Sequence, residues 1–517
     1  MNGAEILVRT LLKGEVNVCF ANPGTSEMHF LAALDKADGM RCIPALFEGV
    51  ATGAADGYYR IARKPACTLL HLGPGLGNGL SNLHNAKKAA SGIVNIVGQH
   101  AIRHLAHESP LTSDIEGLAR TVSGWVRTTA SAATVSEDAA SAITAASARP
   151  ATIATLVLPA DAAWSTGSEK IVTVAPASRP AFDAEAVEAV ARLIADEGRS
   201  TLILVGNDGL HTDAVAALAA ISGKYGCRVM AQCANVSVSR GAGRYPLSRL
   251  PYIVDNAVAL LKRFKHVILI DSADPVAFFT YPGKPSKLCG VGTSVHQMTA
   301  SGEDSVAAAI ALAESLDASA GDIVWPEVPA KAAVTGQLTP ETIAAVIARG
   351  IPENGIVVDE ALTGGRALYP ATANSAPHDW LQNTGGSIGF ALPAALGAAV
   401  AGCGRRVFAI SGDGSAAYTF QALWTYAREN LNVTTIILAN NSYEILKGEY
   451  AKVGAGEPKF RAKELLDIGK PQIDWTRIAG GLGVAASSVS SAEDFDRKLQ
   501  IAARETGPSL IEVRFDP

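Results

Sequence analysis

Long apolar runs are missing from this sequence. No stretch of about 18 consecutive apolar residues occurs, and no basic N-terminal region precedes a short apolar core. Neither a membrane span nor a secretory leader is therefore expected. Charge is also scarce, at 18% of residues with a net value of −5. That balance gives no electrostatic reason to expect nucleic acid or an anionic membrane as a partner. Cysteine supplies seven residues (19, 42, 67, 227, 233, 289 and 403), none in a C-x-x-C pair. The scatter predicts reduced, mostly buried thiols and a cytoplasmic protein. What is abundant is apolar or small: 48% hydrophobic residues and 49 glycines among 517. Length points to about three domains, and the composition suits a large, well-buried α/β enzyme that oligomerises.

The rhythm along the chain agrees. Leu7 and Leu11, with Val8 and Leu12, give helical spacing up to Gly14. A strand over residues 16–20 runs into the turn Asn22-Pro23-Gly24-Thr25-Ser26. A second strand ends at Phe47 and meets Glu48 and a helix of small residues. A third, Ala66 to Leu70, meets His71 and the loop-like run Gly73-Pro74-Gly75-Leu76-Gly77-Asn78. Alternation of this kind predicts doubly wound, mostly parallel sheets with ligands at the strands' carboxyl ends. Polar, proline-bearing stretches (Pro176 and Pro180, then Pro326 and Pro329) read as linkers. The expected division is a first domain at 1–163, a central Rossmann-like spacer at 182–320 and a third domain at 340–517. In the spacer, Gly206-Asn207-Asp208-Gly209 follows a strand but lacks a full G-x-G-x-x-G, so it reads as a structural turn.

The most informative stretch is Gly412-Asp413-Gly414-Ser415. It follows the apolar run Val407 to Ile410, and a further run, Val433 to Leu438, delivers Asn440, Asn441 and Ser442. Glycines let the backbone approach a ligand, and a helix start behind them favours phosphate. One carboxylate, one amide and free carbonyls suit a hard cation that takes phosphate oxygens, magnesium rather than zinc.

This G-D-G-S…N pattern resembles the signature of thiamin-diphosphate-dependent enzymes. Its surroundings are similar to the acetolactate synthase and benzoylformate decarboxylase superfamily. The resemblance implies pyrimidine-binding, central and diphosphate-binding domains in that order. It implies that Asp413, Asn440 and the carbonyl of Ser442 hold Mg2+. Asn440 is preferred over Asn441 because it keeps Ser442-Tyr443 in the family's register. Gly412, Gly414, Ser415, Tyr443, Ile445 and Gly386 would contact thiamin diphosphate, and Ile388 would prop it into a bent shape. Glu48 follows an apolar strand and has no lysine or arginine after it until Arg60. Partial desolvation there should strengthen its hold on a proton, and the matching family glutamate relays protons on the pyrimidine ring. Alone, Glu48 reads equally as a helix N-terminal carboxylate.

Thr25, Ser26 and His71 would face substrate. His71 matches an active-site histidine of benzoylformate decarboxylase, although a lone histidine at a strand end reads as well as a structural residue. Two departures stand out. Residues 277–281 (Ala-Phe-Phe-Thr-Tyr) hold no second histidine, and FAD, possible in the central domain, has no specific motif. His29, His84, His100, His104 and His107 read as surface or packing residues, with His100 and His107 the possible outliers. The resemblance implies a 2-oxo acid decarboxylase or carboligase, acetolactate-synthase-like, working through an enamine intermediate. The alternatives are a benzoylformate-type decarboxylase, a 2-hydroxyacyl-CoA lyase or a silent cofactor-binding paralogue. It also implies a homodimer or homotetramer with active sites between subunits.

Overall fold

The computed structural model describes residues 1–174, 178–327 and 334–516. Pro176 and Pro329, read as parts of the linkers, lie outside these residues, as does Pro517. The chain builds three sheets. The first contains β1 (Val18–Asn22), β2 (Arg41–Pro44), β3 (Ala66–Leu70), β4 (Ile93–Gln99), β5 (Trp125–Thr128) and β6 (Ile153–Pro159). Its order is β2-β1-β3-β4-β6-β5, and every neighbour is parallel. Every residue of β3, β4 and β6 is buried, as expected of parallel strands covered on both faces. Asn2 and Glu5 form a capping box at the start of the first helix, and Gly14 closes it.

Four strands make the central sheet: β7 (Thr201–Val205), β8 (Arg228–Ala231), β10 (His266–Ile270) and β11 (Ser294–Thr299), in the order β11-β10-β7-β8. Between them, β9 (Val238–Arg240) leaves for the third sheet and pairs antiparallel with β13. The third sheet adds β12 (Gly355–Glu360), β13 (His378–Gln382), β14 (Val407–Gly412), β15 (Val433–Ala439), β16 (Ala485–Val489) and β17 (Ser509–Arg514). Its order is β16-β17-β15-β14-β12-β13-β9. The α/β, mostly parallel architecture is thus the one expected.

The run Gly73 to Asn78 departs from its reading as a loop. It forms the first turns of the helix Leu72–Lys88, with His71 at the N-cap. Pro74 is tolerated in a first turn, where its missing N–H costs nothing. Two glycines of the run serve close packing instead: a Cβ at Gly73 would fall 1.8 Å from Ser113 Oγ and one at Gly75 3.2 Å from Glu48 Oε1, while one at Gly77 would meet nothing within 4 Å. Tertiary packing here overrides weak helix propensity.

The helix Glu48–Ala62 also packs backbone to backbone on the helix Ala391–Ala401 of the third sheet. A Cβ at Gly57 would fall 1.9 Å from Ala394 O, and one at Gly397 would fall 1.8 Å from Ala54 O. One apolar core runs through both helices and joins the first and third sheets. Of the seven thiols, only Cys19, Cys67 and Cys227 are buried, fewer than expected. Among the described residues no helix is long and apolar enough to cross a membrane.

Candidate functional site

β14 and β15 pair in parallel register, Gly412 opposite Leu438, so the turns after them open side by side. One cleft there collects Gly412, Asp413, Gly414, Ser415, Asn440, Ser442, Tyr443 and Ile445. Asp413 is buried, and its Oδ1 accepts the Gly414 N–H (2.9 Å) while Oδ2 accepts that of Asn441 (2.7 Å). Asn440 Oδ1 accepts the Ser442 N–H at 3.1 Å. Burial pushes the Asp413 carboxyl above its ordinary range. Among the described residues no lysine or arginine pairs with it, so a bound cation would complete this oxygen donor set. A Cβ at Gly412 would meet nothing within 4 Å, whereas one at Gly414 would strike the Tyr443 ring at 2.5 Å. The cleft therefore has open space over Gly412 and a closed wall behind Gly414, a fit for a diphosphate lying over the turn. The helix behind the turn is short, Asp413–Ala416, and the longer one begins at Ala422.

The loop carrying Ile388 adjoins this cleft through Glu360. Glu360 lines the cleft and accepts the N–H groups of Phe390 and Ala391, both at 2.9 Å. Burial pushes its carboxyl up to about 7, against the pull of those bonds. Glu360 escaped the sequence reading, although it closes the apolar strand β12; Glu48, read as following a strand that ends at Phe47, instead opens a helix beyond β2, which ends at Pro44. Gly386 and Gly389 have φ of +77° and +88°, a region that glycine adopts without strain. Asn85 holds the loop from the first sheet's side, giving its Nδ2 hydrogen to Ser387 O (2.8 Å) and accepting the Ser387 N–H (3.1 Å). Ile388 itself is half-buried. The 277–281 stretch also reaches this loop, because a Cβ at Gly386 would meet the Phe278 ring at 2.8 Å.

Glu48, His71, Thr25 and Ser26 do not line the cleft; they gather at the carboxyl end of the first sheet. Glu48 opens its helix, and its Oε2 accepts a hydrogen from Asn78 Nδ2 at 3.0 Å. Thr25 and Ser26 begin a 3-10 turn that ends in Glu27. His71 Nδ1 lies 2.8 Å from Glu27 Oε2, which also accepts the Gly24 N–H at 2.7 Å. Glu27 is buried, and burial raises its carboxyl above the ordinary range. The sequence reading passed over Glu27; its place two residues after Thr25 was the available signal.

In the central sheet, the loop after β7 is closed on itself. Asp271, at the end of β10, accepts Asn207 Nδ2 at 3.1 Å and the Asp208 N–H at 3.0 Å. The donors that could meet a nucleotide phosphate are taken by a side chain, which agrees with the structural-turn reading and gives FAD no support.

The family described as "Thiamine pyrophosphate enzyme, N-terminal TPP binding domain" matches residues 1–118, and its C-terminal TPP binding domain matches residues 366–513. A Mycobacterium tuberculosis protein with the provisional name acetolactate synthase large subunit IlvX is 48% identical over 99% of each chain. Benzoylformate decarboxylase of Pseudomonas aeruginosa is 29% identical over 96% of this chain and 95% of its own. A solved 4-hydroxybenzoylformate decarboxylase from Rhodococcus jostii superposes with a TM-score of 0.86 at 23% identity, covering 100% of this chain and 99% of that one. That likeness concerns the fold.

Proposed function

The chain belongs to the thiamine pyrophosphate enzyme family, and from that premise we propose that it is a magnesium-dependent 2-oxo acid decarboxylase and carboligase, acetolactate-synthase-like. The observation that carries the reading is Asp413: a buried carboxylate with no basic partner among the described residues, sharing one cleft with Asn440 and Ser442. Asp413, Asn440 and the Ser442 carbonyl would hold Mg2+ with the diphosphate, and Gly386 and Ile388 would support the cofactor's middle. When bound, thiamin diphosphate supplies a nucleophilic carbon and a sink for the electron pair freed when a 2-oxo acid loses carbon dioxide.

The chain's own residues do the rest. Glu48 carries the proton on the aminopyrimidine side, and Asn78 fixes one of its oxygens. His71, oriented by Glu27, handles protons on the substrate side, where the Thr25-Ser26 turn meets the acid. The fastening of the Ile388 loop by Asn85 keeps the site's geometry fixed. Because Glu48, His71, Thr25 and Ser26 stay out of their own chain's cleft, we place each complete site between two subunits of a dimer or tetramer. A monomer that turns over substrate would overturn this arrangement.

The fixed Glu27–His71 pair favours a second reading, a benzoylformate-type decarboxylase that protonates and releases an aldehyde. The two readings separate in one experiment. The protein with thiamin diphosphate and Mg2+ is offered pyruvate, 2-oxobutyrate and benzoylformate, each with and without an aldehyde acceptor. Carbon dioxide release from pyruvate with a condensed product supports the first reading. Release from benzoylformate alone, with benzaldehyde as product, supports the second. No release from any acid rejects both and leaves acyl-CoA lyase chemistry or a silent paralogue.

A further inference from the structure

His100, His104 and His107, beyond the carboxyl end of the first sheet, are left without a role by this reading. β3 and β4 pair in parallel with Leu70 opposite Val97, so His71 leaves the sheet beside Gly98, two residues before His100. Neighbouring strands therefore deliver two imidazoles to one end of the sheet. The inner one is built in. Glu27 holds His71 through Oε2, while Glu27 Oε1 is buried with no hydrogen-bond partner among the described residues. A Cβ at Gly98 would fall 1.6 Å from that oxygen, and one at Gly24 would fall 2.3 Å from His71 Nδ1. Glycine at both positions makes the room that the pair occupies.

His100 is half-buried, and its Nε2 lies 3.1 Å from Ser109 Oγ, which in turn is 3.2 Å from Thr112 Oγ1. From His100 the rings continue outward, with centroids 5.5 Å apart to His104 and a further 5.6 Å to His107. His104 and His107 are exposed, so core packing does not account for the row.

We propose that His71, His100, His104 and His107 form a proton conduit, with the Glu27–His71 pair at its inner end and solvent at its outer end. The proposal rests on His71 working on the substrate side. Once carbon dioxide has left, releasing an aldehyde requires one proton on the former carbonyl carbon. His71 gives that proton and becomes neutral; His100 replaces it and is refilled through His104 and His107. One solvent proton is consumed per aldehyde, and nothing is oxidised or reduced. His100 is a positioning residue here, acting through His71.

The groups around His100 are His104 on its own loop, with ring centroids 5.5 Å apart, the hydroxyl of Ser109 with that of Thr112 behind it, and His71 from the end of β3, whose charge reaches it. The backbone N–H of His100 is donated to Gln99 Oε1 at 2.8 Å. Burial first, then the charges of His104 and His71, hold the His100 imidazole below its ordinary proton affinity. A group so placed releases a proton readily toward His71.

The test uses the full-length protein with thiamin diphosphate, Mg2+ and either pyruvate or benzoylformate. His100→Gln should lower kcat for aldehyde release about tenfold or more with little change in KM, and added imidazole should restore it. Ser109→Ala, which keeps the ring but frees it, should give a smaller loss of the same kind. A pH profile and kcat unchanged in His100→Gln, or a loss that imidazole does not repair, would overturn the conduit. A readout independent of turnover is NMR titration of 13C-labelled histidines. His71→Gln and His104→Gln should each raise the His100 midpoint, and an unmoved midpoint in both would overturn the proposal. If no 2-oxo acid is turned over by the wild type while these midpoints do move, the functional reading fails and the coupled row stands.

Discussion

Arg60 grips Asp56, one helical turn before it, through two parallel hydrogen bonds of 2.8 and 2.7 Å, and neither side chain is exposed at all. The same guanidinium donates to Gln382 O at 2.6 Å and lies 4.7 Å from the centroid of the Phe390 ring. One side chain on the Glu48 helix thereby ties the first sheet to both ends of the loop that carries Ile388.

Arg60→Met should therefore destabilise the protein by about 3–5 kcal/mol, because it leaves the buried Asp56 carboxylate without its cation. Urea unfolding followed by circular dichroism measures this. A loss below about 1 kcal/mol would mean that Ser91, which also bonds Asp56 at 2.5 Å, is partner enough.

Glu48→Gln should lower turnover of an active 2-oxo acid by about 10²- to 10⁴-fold while thiamin diphosphate still binds. Glutamine keeps the contact with Asn78 but cannot relay a proton. Steady-state rates alongside calorimetric cofactor titration check both halves, and wild-type turnover in this variant would remove Glu48 from the mechanism.

Chelation and Asp413→Ala should have the same effect on cofactor binding. Saturating thiamin diphosphate and Mg2+ at about 100 times Kd should add about 2.7 kcal/mol to stability. EDTA should abolish that gain in the wild type, and the Asp413→Ala variant should never show it. Thermal melts with and without each component decide the matter.

Asp271 predicts a pH dependence of stability in the central sheet. Burial, opposed by bonds from Asn207 and Asp208, raises its folded-state pKa from 3.8 to about 6. The fold thus favours the protonated acid. Its contribution is complete below about pH 4 and is lost as pH rises through about 6, a change of roughly 3 kcal/mol. Asp271→Asn should flatten this slope, and the difference between the two stability curves from pH 4 to 7 measures it.

Much of this protein was legible along the chain. The run 66–70 reads as the strand that forms, and the apolar runs 407–410 and 433–438 fall within β14 and β15, because each is a short apolar stretch bounded by turn residues. The Gly412–Ser415 turn and Asn440 were readable as one site because both close strands of a single strand–helix–strand unit. Glu27 was not, since nothing in its neighbourhood shows that it is buried under a histidine 44 residues later. Gly73 and Gly75 misled for the opposite reason: their use is closeness to Ser113 and Glu48, and that demand is invisible locally.

Sequence by itself determined the elements, the family and the residue types at the diphosphate turn, because local periodicity and turn chemistry act within a few residues. Only tertiary structure decided which strand ends stand together. Parallel pairing set His71 beside Gly98 and opened Gly412 beside Asn440, while helix packing fastened the Ile388 loop to Asn85. Those juxtapositions depend on register between distant segments, which no single stretch of chain encodes.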